Sequence, residues 1–270
     1  MLANDKLRQK NSAQKFICVG LDPDIKKIPK NLKSKSNPIL EFNKLIIENT
    51  ADLAAAYKFN LAFYERDGSS GINTLIESIK LIPSEILIIG DGKRGDIGNT
   101  SEKYAEMLYD EFKFDSATLN PYMGLDSIKP FLNYDSKLNF ILALTSNPSA
   151  SDFEKLLLVN NSYLYQEVIR KVHIWNEKKN CGLVFGATNK AELENDIGLF
   201  GDMPILLPGV GEQGGSLGDI VSLFKQKGLK NYLINVSRGI IYKSSSDDFW
   251  EAARNELKFM NETVHSIYKS

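Results

Sequence analysis

Eight short apolar segments recur along the chain, and stretches with helical spacing of apolar residues separate most of them. The apolar segments are rich in branched aliphatic residues and are bounded by turn-forming residues, which is typical of strands buried on both faces. Strands that alternate with helices predict a parallel sheet of the α/β class, and eight repeats predict a closed (β/α)8 TIM barrel. The strands are predicted at residues 16–22, 54–60, 85–90, 116–120, 139–145, 181–187, 204–208 and 231–236.

The domain organisation follows from the length of 270 residues, which suits one barrel, and from the lack of a linker or a shift in composition. A single domain over residues 1–270 is expected, with the segment 1–14 and a helix at about 247–267 packing on it. A doubly wound open sheet is the structural alternative. It would leave unexplained why polar residues gather after nearly every strand.

The overall charge excludes some classes of partner. A net charge of −1 gives no electrostatic footprint for nucleic acid or an anionic membrane, so neither partner is expected. No apolar run approaches the roughly 18 residues that span a bilayer, and residues 1–10 lack the apolar core of a signal peptide. A cytoplasmic protein is therefore expected.

The cysteines and histidines do not indicate a catalytic or metal-binding site. Cys18 and Cys181 fall at or near apolar strands, which predicts buried free thiols and agrees with a reducing compartment. His173 and His265 are the only histidines and lie in helical patterns, which predicts helix-surface residues. A zinc site or a Ser-His-Asp triad has no support.

Charged residues follow the third predicted strand in the segment 91–100. If the strand stays extended through Lys93, side-chain alternation puts Asp91 and Lys93 on one face. Asp96 lies in a loop bracketed by glycines and can return toward them. Asn99 or Ser101 is expected to cap the next helix.

Lys58 extends this pattern, because it stands in the second apolar strand, where a lysine is costly unless it is paired or active. Lys58, Asp91, Lys93 and Asp96 thus form a candidate network of alternating charges, in which each carboxylate favours the ammonium form of its neighbours. Lys93 would be suited to donating a proton or stabilising a carbanion, and poorly suited to forming a Schiff base. The alternative is a solvated cluster of ion pairs at a strand end. Polar residues after the other strands argue against it.

A phosphate site is predicted at the last two strands. The glycine-rich segment 209–215 can supply backbone amides, and Arg238 after the eighth strand can hold two phosphate oxygens. A flexible turn is the alternative for the glycine-rich segment taken alone.

These motifs together resemble the orotidine 5'-phosphate decarboxylase family. The resemblance rests on Asp-x-Lys-x-x-Asp-Ile-x-x-Thr at 91–100, Gly-Leu-Asp at 20–22, Lys-Phe-Asn at 58–60, Pro-Gly-Val-Gly-Glu-Gln at 208–213 and Ser-Arg-Gly at 237–239. It covers the chain from the first strand to the eighth. It implies a conversion of orotidine 5'-monophosphate to UMP and CO2 in pyrimidine synthesis, without metal or cofactor, in a homodimer.

The resemblance also implies roles for individual residues. Lys93 would protonate C6 of the pyrimidine, Asp91 would crowd the departing carboxylate, and Lys58 would hold the network and the ribose. Asp96 and Thr100 would reach into the neighbouring subunit's site. The remaining roles would be ribose binding by Asp22 and Asn60, base contact by Ser146 or adjacent Thr145, and phosphate binding by Gln213 and Arg238.

Two rival functions remain open. A barrel of related type could decarboxylate or epimerise a sugar phosphate with Mg²⁺ held by carboxylates at the strand ends, although the two lysines beside those carboxylates argue against it. A non-catalytic nucleotide-binding barrel is the rival from a different class. For residues 149–161, a mobile lid and a long connection are equally compatible with the sequence.

Overall fold

The computed structural model describes residues 1–210 and 215–270. Eight parallel strands form a closed barrel in chain order, in which each strand pairs with the next and the last pairs with the first. The predicted single-domain (β/α)8 barrel is confirmed. The strands are β1 (Ile17–Gly20), β2 (Ala56–Asn60), β3 (Leu87–Arg94), β4 (Ser116–Leu119), β5 (Leu138–Leu144), β6 (Cys181–Phe185), β7 (Ile205–Pro208) and β8 (Tyr232–Val236).

Helices alternate with these strands. They are α1 (Ala3–Ser12), α2 (Pro38–Thr50), α3 (Ala62–Glu65), α4 (Gly68–Lys80), α5 (Gly98–Glu106), α6 (Lys129–Leu132), α7 (Leu164–Trp175), α8 (Lys190–Asp196), α9 (Leu217–Gln226), α10 (Arg238–Ile241) and α11 (Phe249–Lys269). Shorter 3₁₀ turns lie at Lys30–Ser34, Leu125–Ser127, Pro148–Asp152 and Ile197–Phe200, and a π-helical turn at Met107–Glu111 follows α5.

The start of α5 differs from the sequence prediction. The helix begins at Gly98, the residue before it is Ile97, and no side chain caps it. Asn99 is exposed, and the Ser101 hydroxyl donates to the Ser127 carbonyl instead. The prediction that Asn99 or Ser101 caps this helix is therefore wrong, because the left-handed Gly98 lets the chain turn into the helix earlier.

The core has two layers. One cluster fills the barrel, and α1 adds Ala3 and Leu7 to it beside residues such as Leu87, Leu138 and Leu233. The other cluster lies between the strands and the surrounding helices. Since the Ala3 amide donates to the carbonyl of Ser136 just before β5, α1 closes the end of the barrel where the strands begin.

Both cysteines are buried free thiols, as predicted. His173 is exposed on α7, with a ring nitrogen 2.7 Å from the Leu199 carbonyl oxygen, and His265 is half-buried on α11. Among the residues that the structure describes, no helix is both long enough and apolar enough to cross a membrane.

Candidate active site

A cavity of about 770 Å³ opens at the carboxyl ends of the strands. Parallel strands direct all of their carboxyl ends to one mouth, so residues far apart in sequence meet there. The lining includes most of the residues predicted for the site, namely Asp22, Lys58, Asn60, Asp91, Lys93, Ser146 and Arg238.

The centre of the cavity is the Asp91 carboxylate, which two ammonium groups share. Lys58 Nζ donates to Asp91 Oδ2 over 2.8 Å, and Lys93 Nζ donates to Asp91 Oδ1 over 2.7 Å. Lys58 and Asp91 are only 4% and 8% exposed, whereas 47% of the Lys93 side chain is exposed. The buried pair therefore holds the exposed ammonium group of Lys93 toward the cavity.

The charges of this trio are fixed by mutual stabilisation. Burial alone would raise the pKa of the Asp91 carboxyl, but the ammonium groups of Lys58 and Lys93 outweigh burial and hold that pKa well below its usual value. Burial alone would lower the pKa of Lys58, but the carboxylates of Asp22 and Asp91 outweigh it and raise that pKa. Asp91 is thus an anion and Lys58 a cation at neutral pH.

The backbone at Lys93 is not extended. β3 runs past Lys93 to Arg94, but the φ of 46° at Lys93 lies in the left-handed region, so the regular extended conformation assumed for side-chain alternation is interrupted there. The Lys93 and Asp91 side chains nevertheless converge, because the turn at Lys93 leaves its ammonium group within hydrogen-bonding distance of the carboxylate.

Thr118 on β4 is a further residue of the site, and it was not predicted from the sequence. Its hydroxyl donates to Asp91 Oδ1 over 2.8 Å and accepts from the Lys93 amide over 3.0 Å. The available signal was side-chain alternation in β4, because a threonine on the inner face of a buried strand faces the charged strand next to it.

Asp96 and Thr100 lie outside the cavity lining. The Asp96 carboxylate accepts from the next backbone amide, that of Ile97, over 2.8 Å, and Thr100 is exposed. The expectation that Asp96 returns toward Lys93 within its own chain is therefore not met. Asp96 lies in the short loop between β3 and α5, and Thr100 lies in the first turn of α5.

Asp22 and Asn60 form one edge of the cavity. Asp22 Oδ1 accepts from the Asn60 amide over 3.0 Å, and Asn60 Oδ1 accepts from the Ala62 amide over 3.3 Å. The two strands β1 and β2 are neighbours, so their carboxyl ends bring these oxygens together.

The cavity edge beyond β7 and β8 is lined by Gly209 and Arg238. Gly209 has a φ of 101°, which only glycine adopts without strain, and Arg238 begins α10. Lys27 and Tyr242 also line this edge, and neither was predicted. Gln213 lies outside the described residues.

Glu154 anchors the segment after β5 to the cavity. Its carboxylate accepts from the Thr145 amide over 2.7 Å and from the Thr145 hydroxyl over 2.9 Å, while Ser146 lines the cavity beside them. Residues 149–161 therefore connect directly to the mouth. Glu154 could not be predicted from the sequence, since nothing in local spacing relates it to Thr145.

Asn235 on β8 is a further polar residue of the lining. Its side chain is buried, and its Oδ1 has no hydrogen-bond partner among the described residues. A buried carboxamide oxygen without a hydrogen-bond donor is unfavourable, so a polar ligand group that reaches β8 and donates to it would satisfy it.

The Asp91 carboxylate at the centre of the cavity is paired with two cations of the chain itself. Across residues 1–210 and 215–270, no group of three or more His, Cys, Asp or Glu side chains is arranged to hold a metal ion. Both Asp91 oxygens instead accept hydrogen bonds from lysines. The arrangement can oppose a second anion near Asp91 and stabilise negative charge beside Lys93.

Comparison with protein families places this chain in a known group. Residues 15–253 match the orotidine 5'-phosphate decarboxylase / HUMPS family. The chain is 44% identical over 244 residues to orotidine 5'-phosphate decarboxylase of Herpetosiphon aurantiacus, covering 90% of each chain. It is also 44% identical over 269 residues to the same enzyme of Flavobacterium johnsoniae, covering 98% of this chain and 96% of the other.

Solved structures show the same likeness. Leishmania donovani OMP decarboxylase superposes with a TM-score of 0.83 at 33% identity, covering 98% of this chain and 99% of the other. Leishmania donovani UMP synthase gives a TM-score of 0.82 at 34% identity, covering 96% of this chain. The match spans 56% of that synthase, so only part of the longer protein corresponds to this chain.

Proposed function

Since the chain belongs to the orotidine 5'-phosphate decarboxylase / HUMPS family and is a decarboxylase of that family, we propose that Lys93 protonates the substrate carbon without metal or cofactor. The reaction is the conversion of orotidine 5'-monophosphate to UMP and CO2, a step of pyrimidine synthesis. The observation that carries the mechanism is the shared Asp91 carboxylate, which accepts hydrogen bonds from the ammonium groups of both Lys58 and Lys93.

The proposed step breaks the bond between C6 and its carboxylate. The carboxylate leaves as CO2, the bonding electron pair remains on C6, and a proton moves from Lys93 Nζ to C6. Solvent returns a proton to the lysine afterwards. Because 47% of the Lys93 side chain is exposed, its ammonium group has access both to the substrate and to water.

Charge at the site would act differently on the substrate and on the transition state. A substrate carboxylate placed beside Asp91 meets an anion that burial and two lysines hold in place. Loss of CO2 removes this repulsion and leaves negative charge beside the Lys93 ammonium group. Interactions that improve on the way to the transition state lower the barrier, whereas uniform binding does not.

The rest of the cavity would bind the nucleotide. We assign the ribose to Asp22, Asn60 and Lys58, because their oxygens and ammonium group lie together at the ends of β1 and β2. The base is assigned to Ser146, with Thr145 occupied by Glu154. The phosphate is assigned to Arg238 and to Gln213, whose position in the sequence follows Gly209 closely.

We also propose a cytoplasmic homodimer in which Asp96 and Thr100 complete the partner's site. Both residues lie outside the cavity of their own chain. Three large apolar residues in the segments that follow β3 and β4 are exposed, Ile97 at 62% after β3, and Tyr122 at 77% and Met123 at 49% after β4. Exposed apolar residues grouped in this way favour a protein contact.

The test is an ultraviolet assay of the purified protein. We expect the absorbance of orotidine 5'-monophosphate to fall on mixing and the rate to be unchanged in EDTA. The Lys93→Ala variant should lose turnover by at least about 1,000-fold while still binding UMP, because a proton donor contributes mainly to the chemical step. Arg238→Ala should instead mainly weaken binding of phosphate-bearing ligands.

Two outcomes would contradict this proposal. Near-normal turnover by Lys93→Ala would exclude that lysine as the proton donor. Activity lost in EDTA and restored by Mg²⁺ would favour the rival metal-dependent mechanism, in which carboxylates hold the cation.

A further inference from the structure

The pairing between β3 and β4 is interrupted at the charged end of β3. Gly90 pairs with Ala117 and Arg94 pairs with Leu119, with a shift of register between them. Three residues of β3, Asp91 to Lys93, therefore stand opposite the single residue Thr118. A bulge of this kind redirects side chains and is common beside active sites.

The Thr118 side chain forms hydrogen bonds to β3 where the bulge interrupts the backbone pairing of the two strands. The Lys93 amide donates to the Thr118 hydroxyl oxygen over 3.0 Å, and that hydroxyl donates to Asp91 Oδ1 over 2.8 Å. Thr118 is 2% exposed, so water does not compete freely for either bond. One hydroxyl thus ties the backbone of Lys93 to the side chain of Asp91.

This tie bears on the conformation of Lys93. A residue with a side chain in the left-handed region is strained, and such a conformation persists where its surroundings determine it from several sides. Two hydrogen bonds hold Lys93 in this conformation, one from its backbone amide to the Thr118 hydroxyl and one from its ammonium group to Asp91. Loss of the hydroxyl removes the first of these restraints and also one of the donors to Asp91.

We propose that Thr118 is a positioning residue for decarboxylation, which sets the directions of the Lys93 ammonium group and the Asp91 carboxylate through its single hydroxyl. The proposal rests on the function proposed for those two residues. It assigns to β4 a part in the chemistry that none of the predicted site residues supplies.

The test compares Thr118→Val, which keeps the shape and removes the hydroxyl, with Thr118→Ser, which keeps the hydroxyl. We expect Thr118→Val to lower kcat by about 10- to 100-fold with KM changed by less than about threefold, because small misplacement of reacting groups affects mainly the chemical step. Thr118→Ser should retain kcat to within about threefold. Amide hydrogen exchange at Lys93 should be faster in Thr118→Val only.

Thr50→Val is the matched control. Thr50 on α2 is also buried and also donates a hydrogen bond, to the Ile46 carbonyl over 2.6 Å, but it lies outside the cavity. The Thr50→Val variant should have a lower melting temperature than the wild-type protein and an unchanged kcat. If Thr118→Val kept full kcat, or if Thr118→Ser fell equally far, the positioning role would be overturned. Failure of the wild-type protein to decarboxylate orotidine 5'-monophosphate, or near-normal turnover by the Lys93→Ala variant, would instead overturn the proposed function.

Discussion

At the scale of single residues, Asp91 is the group on which the site depends most. It is a buried anion, and burying a charge is unfavourable unless the charge is paired and hydrogen-bonded. Asp91 meets this condition with three donors, two from lysines and one from Thr118. The interactions proposed to prepare the site for chemistry are therefore also those that compensate this buried charge, so removing one partner would destabilise the fold.

Replacement of Asp91 by Asn should change the free energy of unfolding by an amount that depends on pH. We expect Asp91→Asn to lower the free energy of unfolding by about 3 to 5 kcal/mol at neutral pH, since it leaves buried Lys58 with a weaker partner. The folded-state pKa of Asp91 is lowered, so its stabilisation is present above the unfolded pKa and is lost as pH falls.

The measurement is urea unfolding of both proteins at several pH values. The difference in stability should be full at pH 7 and should narrow as pH falls below about 4, the usual pKa of an aspartate. If the difference in unfolding free energy between the wild-type protein and Asp91→Asn stayed constant down to pH 3, the lowered pKa of folded Asp91 would be contradicted.

Several site residues could be predicted from the sequence and others could not. Lys58, Asp91 and Lys93 stood out because charged residues within or directly after apolar strands are unusual. Thr118 and Asn235 did not, since threonine and asparagine occur commonly in strands and at strand ends. Their contribution depends on which strand lies beside them in the closed barrel, and local spacing does not contain that information.

At the scale of elements, the strands were predicted more accurately than their ends. The apolar runs identified all eight strands, because burial on both faces demands continuous apolar sequence. The end of β3 was mispredicted, since its bulge depends on the register with β4. The start of α5 was also mispredicted, because a glycine turn replaced a side-chain cap.

The helix α1 closes the barrel end opposite the active site. Leu7→Ala should therefore lower the free energy of unfolding by about 2 to 5 kcal/mol, because it leaves a cavity beneath the barrel core. Turnover at 25 °C should be unchanged, since the site lies at the other end. Leu2→Ala is the control, because Leu2 is 50% exposed and its removal creates no cavity.

Chemical denaturation and steady-state rates of the two variants are the measurements. An equal loss of stability in Leu2→Ala and Leu7→Ala would show that α1 does not act as a closure. A large loss of kcat in folded Leu7→Ala would show that the two ends of the barrel are coupled.

At the scale of the whole molecule, the proposed dimer makes each active site the product of two chains. Lys93→Ala and Asp96→Ala proteins should each be inactive alone. In a mixed dimer, one site would combine an intact Lys93 with an intact Asp96 from the other chain. Random mixing should restore about a quarter of the wild-type sites, because half of the dimers are mixed and each has one intact site.

Subunit exchange followed by the ultraviolet assay measures this recovery. Co-refolding equal amounts of the two variants provides the exchange, and each variant refolded alone provides the background. If no activity returned although the mixed dimers had formed, Asp96 would act within its own chain or in no site at all.

The two cysteine thiols have a practical consequence for handling the protein. Burial raises the pKa of Cys18 and of Cys181 to about 12. Since alkylating agents and mild oxidants of cysteine attack the thiolate, almost no reactive thiolate is present at neutral pH. The folded enzyme should keep its thiols reduced in air. A chromogenic thiol reagent would therefore react only with molecules whose barrel has unfolded.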